Sequence, residues 1–333
     1  MISVIVPVYN AERYIAKCAL SLLCQTHLDY EVIFVDDCST DNSLVALKRA
    51  LKDQNSRNVS VKILEHDRNR GVGAARNTGL QAAQGEWCVF VDSDDWVGEG
   101  YLADLFADAK EGDLVYAGVS YEKAGGESYV RRFVERAFCL DEMPAEDWGN
   151  LFRYSFACAK LFDLTIIRRF GIQFSRLPLH EDTAFVFDYL VHAQRVRFTS
   201  RAEYHYWQEN AASATQKRYS SEVYLMISQE LLMRWEWVFA YMRKDIQRDV
   251  RQYIQRFGVS QLLLAVDVLY DHPVREKTVR RRVLNALRAR RKLFADYYRP
   301  SSFLKRVFVF IVLWCPLWIV DITVVVRKLI LVR

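Results

Sequence analysis

Trp87-Cys88-Val89-Phe90-Val91-Asp92-Ser93-Asp94-Asp95-Trp96 is the stretch on which the fold turns. Its first half is an apolar β-rich run of the kind that fills a strand covered on both faces. Its second half sets Asp92, Asp94 and Asp95 just beyond that strand, where an unpaired carboxylate is costly unless something positive compensates it. A divalent cation would do so: Mg²⁺ and Mn²⁺ take carboxylate oxygens and complete their shells with phosphates and water, so D-x-D after a strand suits a diphosphate-bound metal. The plainer alternative is that these residues cap a helix beginning near residue 100. Both readings are open at this point.

Similar runs lie on either side, at 2–8, 31–36, 60–65 and 113–118, with helix candidates near 11–24, 41–53, 73–84 and 100–110. Alternation of apolar strands with helices predicts an α/β domain, a Rossmann-like, mostly parallel sheet with helices on both faces. Ligands of such sheets bind at the carboxyl ends of the strands. Pro7 to Asn10, Asp36 to Thr40 and Asp92 to Asp95 fall at those ends. Residues 120–210 are less regular, with a helix expected at 181–193 and short strands near 195–199 and 203–207. The pattern then turns helical through 222–243 and 246–270, followed by a basic helix pair near 275–298 and an apolar run at 307–326.

Three more clusters carry polar groups that a core does not need. In Asp36-Asp37-Cys38-Ser39-Thr40-Asp41, one of Ser39, Thr40 and Asp41 serves as a helix N-cap, which leaves Asp36 and Asp37 for a base imide or a ribose hydroxyl. In DRNRGVGAARNTGL (67–80), Gly71-Val-Gly73-Ala-Ala-Arg76 is not a nicotinamide fingerprint, because it is not on the first βα turn and has Arg at its third position. Arg76 reads either as a donor to phosphate or carboxylate or as a structural partner of the aspartates. Leu179-His180-Glu181-Asp182 opens a helix, where acidic residues also suit the dipole.

The chain has 333 residues, 51% of them apolar and 26% charged, enough for one catalytic domain with an extension and not the composition of a disordered protein. Seven cysteines without a C-x-x-C pair argue against a disulfide framework or a zinc site and for a reducing compartment. MISVIVPVYN lacks a basic start and does not read as a signal peptide. From Arg275 onward there are 15 Lys/Arg against 3 Asp/Glu, a net of +12 that leaves −7 on residues 1–274. The basic segment VRRRVLNALRARRKL (279–293) suits an anionic bilayer surface. The run 307–326 is long enough to span a bilayer, but Pro316 and Asp321 favour an in-plane or shallowly inserted anchor. No nucleic-acid-binding motif accompanies the basic run, so nucleic acid is not expected as a partner.

Taken together, SVIVPVYNAERYI, EVIFVDDCSTDNS, GVGAARNTGL, GEWCVFVDSDD, AKLFD (159–163) and HEDTAFVF closely resemble the family 2 glycosyltransferases of GT-A fold, over roughly residues 1–215. The resemblance implies a catalytic domain at 1–215; helical periodicity, charge and hydropathy alone add a helical extension at 216–298 and a membrane-associating segment at 299–333. The resemblance further implies a nucleotide-sugar donor, uridine as base, Mn²⁺ or Mg²⁺ as cofactor, and an acceptor hydroxyl on a glycan or lipid-linked molecule at the cytoplasmic face of a bacterial inner membrane. Residue by residue, it implies Asp37 at the nucleobase, Asp92 near ribose or phosphate, Asp94 on the metal and Asp182 as catalytic base, with Pro7, Tyr9 and Glu12 lining the nucleotide pocket and Arg76 nearby. One departure stands out: Trp207 and Gln208 occupy a position where many relatives have a basic residue.

The implied reaction is a single displacement with inversion, in which Asp182 accepts the hydroxyl proton and the metal stabilises charge on the leaving diphosphate. A nucleotidyltransferase would also use an acidic α/β site but needs a Gly-rich, basic first loop, and here that loop is Tyr9-Asn10-Ala11-Glu12. A non-catalytic scaffold would have no use for Asp37, Asp92, Asp94 and Asp182 together.

Overall fold

The structure is a computed structural model. It describes residues 1–209 apart from 55–58, 108 and 127, then 219–220 and scattered helical positions between 223 and 314. The helices expected at 246–270 lie outside the described residues, as does most of those at 222–243 and 275–298.

The chain divides into two compact units, one of residues 1–143 and 155–216, the other of 144–154 and 217–333. The first is built on a ten-stranded sheet. Its parallel half is β1 (Ile2–Val8), β2 (Tyr30–Asp36), β3 (Ser60–Glu65) and β4 (Trp87–Phe90), in the order β3-β2-β1-β4. The crossovers are the helices α1 (Ile15–Leu23), α2 (Ser43–Gln54) and α3 (Val72–Ala82).

β1 shows why a central strand of this sheet is apolar almost throughout. Val4, Val6 and Val8 point to the face covered by α1 and α2, where they join a core with Ile15, Ala19, Leu22, Leu47 and Leu102. Ile5, between them, faces α3, which comes so close that a Cβ on Gly79 would meet Ile5 Cγ2 inside van der Waals contact. A residue buried from both sides gains nothing from alternation. The face of Ile5 continues into a cluster of edge-on and stacked rings, Phe90, Phe162, Phe174, Phe185 and Tyr189.

The second half departs from a parallel reading. β5 (Trp96–Val97) follows the acidic turn, and β6 (Asp113–Glu122) comes after α4 (Tyr101–Phe106). The Lys-Leu-Phe-Asp strand β9 (Lys160–Asp163) then inserts between β4 and β6, antiparallel to both. β7 (Ser128–Arg131) and β8 (Arg136–Cys139) add antiparallel pairings to β6 and to β10 (Arg195–Trp207). The two short strands expected at 195–199 and 203–207 are one strand with a register shift between Phe198 and Glu203. The sheet is therefore mixed: β9 runs antiparallel to β4 and β6, while β10 runs parallel to β6 and antiparallel to β5 and β8. Two helices complete this unit, α6 (Leu164–Phe170) and α7 (Glu181–Leu190), the first capped by the Asp163 carboxylate and closed by Gly171 in the left-handed region (φ 62°).

In the second unit, α5 (Ala145–Arg153) stacks Trp148 on Phe152. Among the described residues no helix is long and apolar enough to cross a membrane. Of the run 307–326, Val307, Phe310, Ile311 and Trp314 are described; they are helical, and Val307, Phe310 and Trp314 are 38%, 58% and 49% exposed.

Candidate active site

The loops at the carboxyl ends of β1 and β2 are laced together by side chains. Asn10 accepts from Thr40 N (2.8 Å) and gives its own amide to Ser39 Oγ, while Ala11 N donates to Ser43 Oγ (2.7 Å). Glu12 accepts from Asn42 N and Nδ2, and Asp41 accepts from Glu12 N and Ser43 N. Asp41 is thus the capping residue of the turn. Asn10 (φ 49°), Cys38 (φ 62°), Ala159 (φ 55°) and His180 (φ 63°) are the described non-glycine residues in the left-handed region, and all four sit in loops of this end of the sheet. Strain of that kind, about 1–3 kcal/mol each, persists where surrounding contacts over-determine the backbone.

The two carboxylates ending β2 are both buried and both engaged. Asp36 accepts from Ser39 N (3.0 Å) and Ser39 Oγ (2.5 Å). Asp37 accepts from Arg70 N (2.8 Å) and Gly71 N (2.7 Å) and meets His66 Nδ1 at 2.7 Å, while His66 Nε2 lies 2.9 Å from Thr78 Oγ1. Of roughly four lone-pair directions on a carboxylate, Asp37 has three committed to the segment 66–71. Gly71 takes φ 90° there, which only glycine adopts freely.

Arg76 is the centre of the second group. Its guanidinium is buried, donating to Asp92 Oδ1 (2.8 Å) and Glu181 Oε1 (2.7 Å) and lying over the Phe174 ring at 5.2 Å. Of the two roles left open for it, partner of the carboxylates is the one displayed. Burial disfavours its charge, but Asp92 and Glu181 outweigh that and hold it protonated. Asp92 Oδ2 accepts from the Cys158 thiol (3.1 Å). Glu181 is pushed up to about 7 by burial and by Asp182 beside it, with Arg76 opposing. Glu181 and Asp182 form the first turn of α7 behind His180, and Asp182 Oδ1 accepts from Thr183 N at 2.6 Å.

The acidic turn is not a helix cap: β5 follows it, and α4 starts after Gly100 with no side-chain cap. Asp95 is buried, accepting from the Tyr204 hydroxyl (2.6 Å) and Trp207 N (2.8 Å); Tyr204 in turn accepts from Asp92 N (3.2 Å). Burial, with Asp94 and Asp92 adding to it, holds Asp95 well above the usual carboxylate range. Asp94 is half-buried at the tip of the turn. Among the described residues no three His, Cys, Asp or Glu stand together as a cation cage.

Sequence reasoning missed Lys160. It is fully buried on β9, donating to Phe156 O (2.5 Å) and Cys158 O (3.3 Å) with the Tyr116 and Phe156 rings each 4.3 Å away. Burial lowers its ammonium to about 7, against the opposing pull of Cys158 and Asp182. The available signal was a lone lysine inside an apolar strand.

The family model for "Glycosyl transferase family 2" matches residues 3–170, half of the chain. This chain belongs to glycosyltransferase family 2. An uncharacterized glycosyltransferase of Haemophilus influenzae is 33% identical over 192 residues, 57% of this chain and 72% of its own length. Glycosyltransferase GlyG of Streptococcus pneumoniae is 33% identical over 153 residues, 45% of this chain and 49% of its own. TarS of Staphylococcus aureus, a poly(ribitol-phosphate) β-N-acetylglucosaminyltransferase, is 31% identical over 241 residues, 69% of this chain and 40% of its own. The match thus spans about half or less of GlyG and TarS. The crystal structure of TarS 1–349 in complex with UDP superposes with a TM-score of 0.65 over 86% of this chain and 79% of that one, at 21% identity. That likeness shows the GT-A fold. For this family 2 chain, the loops after β1, β2 and β4 and the start of α7 are the elements that bear the motifs.

Proposed function

We propose that this chain transfers a sugar, with inversion at the anomeric carbon, from a nucleoside diphosphate sugar to an acceptor hydroxyl on a bacterial surface polysaccharide or lipid-linked glycan, with UDP as the carrier. The observation that carries the reading is Arg76, one guanidinium that reaches both the acidic turn through Asp92 and the first turn of α7 through Glu181. It brings the two halves of a displacement, leaving-group side and proton-accepting side, to one rim. The binding of UDP by TarS supports the choice of base.

In this reading residues 1–215 are the catalytic domain, 216–298 a helical extension and 299–333 a membrane-associating segment. Asp37 holds the 66–71 loop against the end of β2 and offers its remaining lone pair to the base. Pro7 and Tyr9 line the nucleotide pocket, and Glu12 fixes the loop below it through Asn42. Arg76 acts on the donor through Asp92, whose carboxylate it orients. Asp94, at the tip of the turn, would hold Mn²⁺ or Mg²⁺ together with the donor phosphates. A carboxylate is the oxygen donor that suits a hard cation, which finishes its shell with phosphate and water. When bound, the cation stabilises charge on the leaving diphosphate. Asp182 takes the proton of the acceptor hydroxyl, a role worth about 10²–10⁴-fold for a placed base. The exposed Val307, Phe310 and Trp314, spaced three and four apart, share one helical face and with the basic segment 279–293 suit attachment to an anionic inner-membrane surface.

The test is release of UDP from UDP-sugars with Mn²⁺ or Mg²⁺. Asp94→Ala is expected to abolish release and metal-dependent donor binding, and Asp182→Asn to keep donor affinity while lowering turnover at least about 100-fold. Full activity in excess chelator sinks the metal assignment. If Glu181→Gln is inactive and Asp182→Asn is not, the base is Glu181.

A further inference from the structure

A row of three tyrosines lies beside the acidic turn. β10, β6 and β7 are adjacent strands, and the register sets Tyr206 opposite Tyr121 and Tyr121 opposite Tyr129. Opposed residues of paired strands point to the same face, so the three phenols form a row across the sheet. Their centroids are 5.7 Å and 6.1 Å apart. The row starts at the acidic turn. Tyr204, two residues before Tyr206 on the same face, bonds Asp95 and Asp92, and the Tyr206 phenol is pushed up to about 12, first by burial and then by Asp95, Asp94 and Asp92. It ends at the sheet margin, where Tyr129 is 64% exposed and Tyr121 and Tyr206 are partly so.

Tyr121 and Tyr206 lean partly on the core, whereas Tyr129 at the sheet margin contributes little to it, and an exposed aromatic there is not what solubility favours. The chemistry matches a pyranose chain. A sugar ring presents an apolar C–H face that covers an aromatic ring, while its hydroxyls project sideways to polar tips such as phenol oxygens. The ring spacing is on the scale of one sugar unit. A polyol-phosphate chain would instead call for free cations along the row. Arg131, on the same face of β7 as Tyr129, lies over the Phe133 ring at 6.0 Å.

We propose that Tyr206, Tyr121 and Tyr129 form an acceptor shelf that holds successive sugar rings of an uncharged glycan, with the reacting end at the acidic turn. This rests on the glycosyl-transfer reading and narrows its acceptor to a chain of sugars longer than one unit.

The test uses the full chain with UDP and Mn²⁺ on an array carrying mono- to hexasaccharides beside ribitol-phosphate oligomers. Saccharides should be retained, with retention rising with length over the first three units. Tyr129→Ala, at an exposed site outside the donor loops, should flatten the last step of that rise by about three- to tenfold and leave monosaccharide retention and UDP-sugar hydrolysis unchanged. Preference for the ribitol-phosphate oligomers overturns the proposal, as does retention independent of length or a Tyr129→Ala variant with the full rise. UDP-sugar hydrolysis by the unaltered chain is scored separately, so loss of the parent reading shows as absent hydrolysis, and loss of the shelf alone as hydrolysis without length dependence.

Discussion

Two buried cations, Arg76 and Lys160, are held in different ways. Arg76 lies between two carboxylates, whereas Lys160 has two carbonyl acceptors and two ring faces. Its folded value of about 7 lies below the ordinary lysine value of 10.5, so the folded state holds fewer protons than the unfolded one between those values. Stability therefore rises with pH across that window, and the penalty is fully present below pH 7. Replacing Lys160 by Met removes the titration. The melting temperature of the unaltered protein minus that of Lys160→Met should climb from pH 7 to pH 10, and a flat difference would mean that the ammonium is solvated or paired. Asp36 and Asp37 show what sequence could not give: both were legible as non-core carboxylates, yet their partners, Ser39 and the amides of Arg70 and Gly71, depend on how the loop closes.

β1, β2 and β3 fall within a residue of their sequence reading, since short β-rich runs bounded by turn residues have little alternative. β9 escaped because four residues carry too short a pattern and its pairing partners lie 44 to 76 residues away in sequence. β7 is exposed along most of its length, so its membership of the sheet comes from pairing with β6 and not from hydrophobic patterning. The contact of α3 with β1 is equally invisible in a string of letters, though it predicts a clear outcome. Gly79→Ala adds a methyl against Ile5, and overpacking of about 1–3 kcal/mol should outweigh the roughly 1 kcal/mol of helix propensity gained. The urea midpoint is expected to fall; an equal or higher midpoint would show that α3 can lift off the strand freely.

For the whole molecule, charge is the property that separates the ends, with −7 on residues 1–274 and +12 beyond. Removal of residues 300–333 should release the protein from anionic vesicles while UDP-sugar hydrolysis persists, because the donor motifs end near Asp182. Flotation at low salt decides it: a full-length chain that stays in the soluble fraction has no anchor. The insertion of β9 between β4 and β6 has a consequence in time. β1, β2 and β4 can zip together from the first ninety residues, but the seam between the two halves of the sheet stays open until residues 160–163 arrive to fill it. Until then β4 presents a bare edge to any passing strand. Pulse-labelled hydrogen exchange during refolding should find the amides of β1 and β2 protected before those of β6 and β9, and simultaneous protection would mean that the sheet condenses in a single event. The aspartates at the end of β4 therefore stand beside a seam that waits for residues far along the chain, and Tyr204 of β10, which bonds Asp95 and Asp92 N, arrives later still.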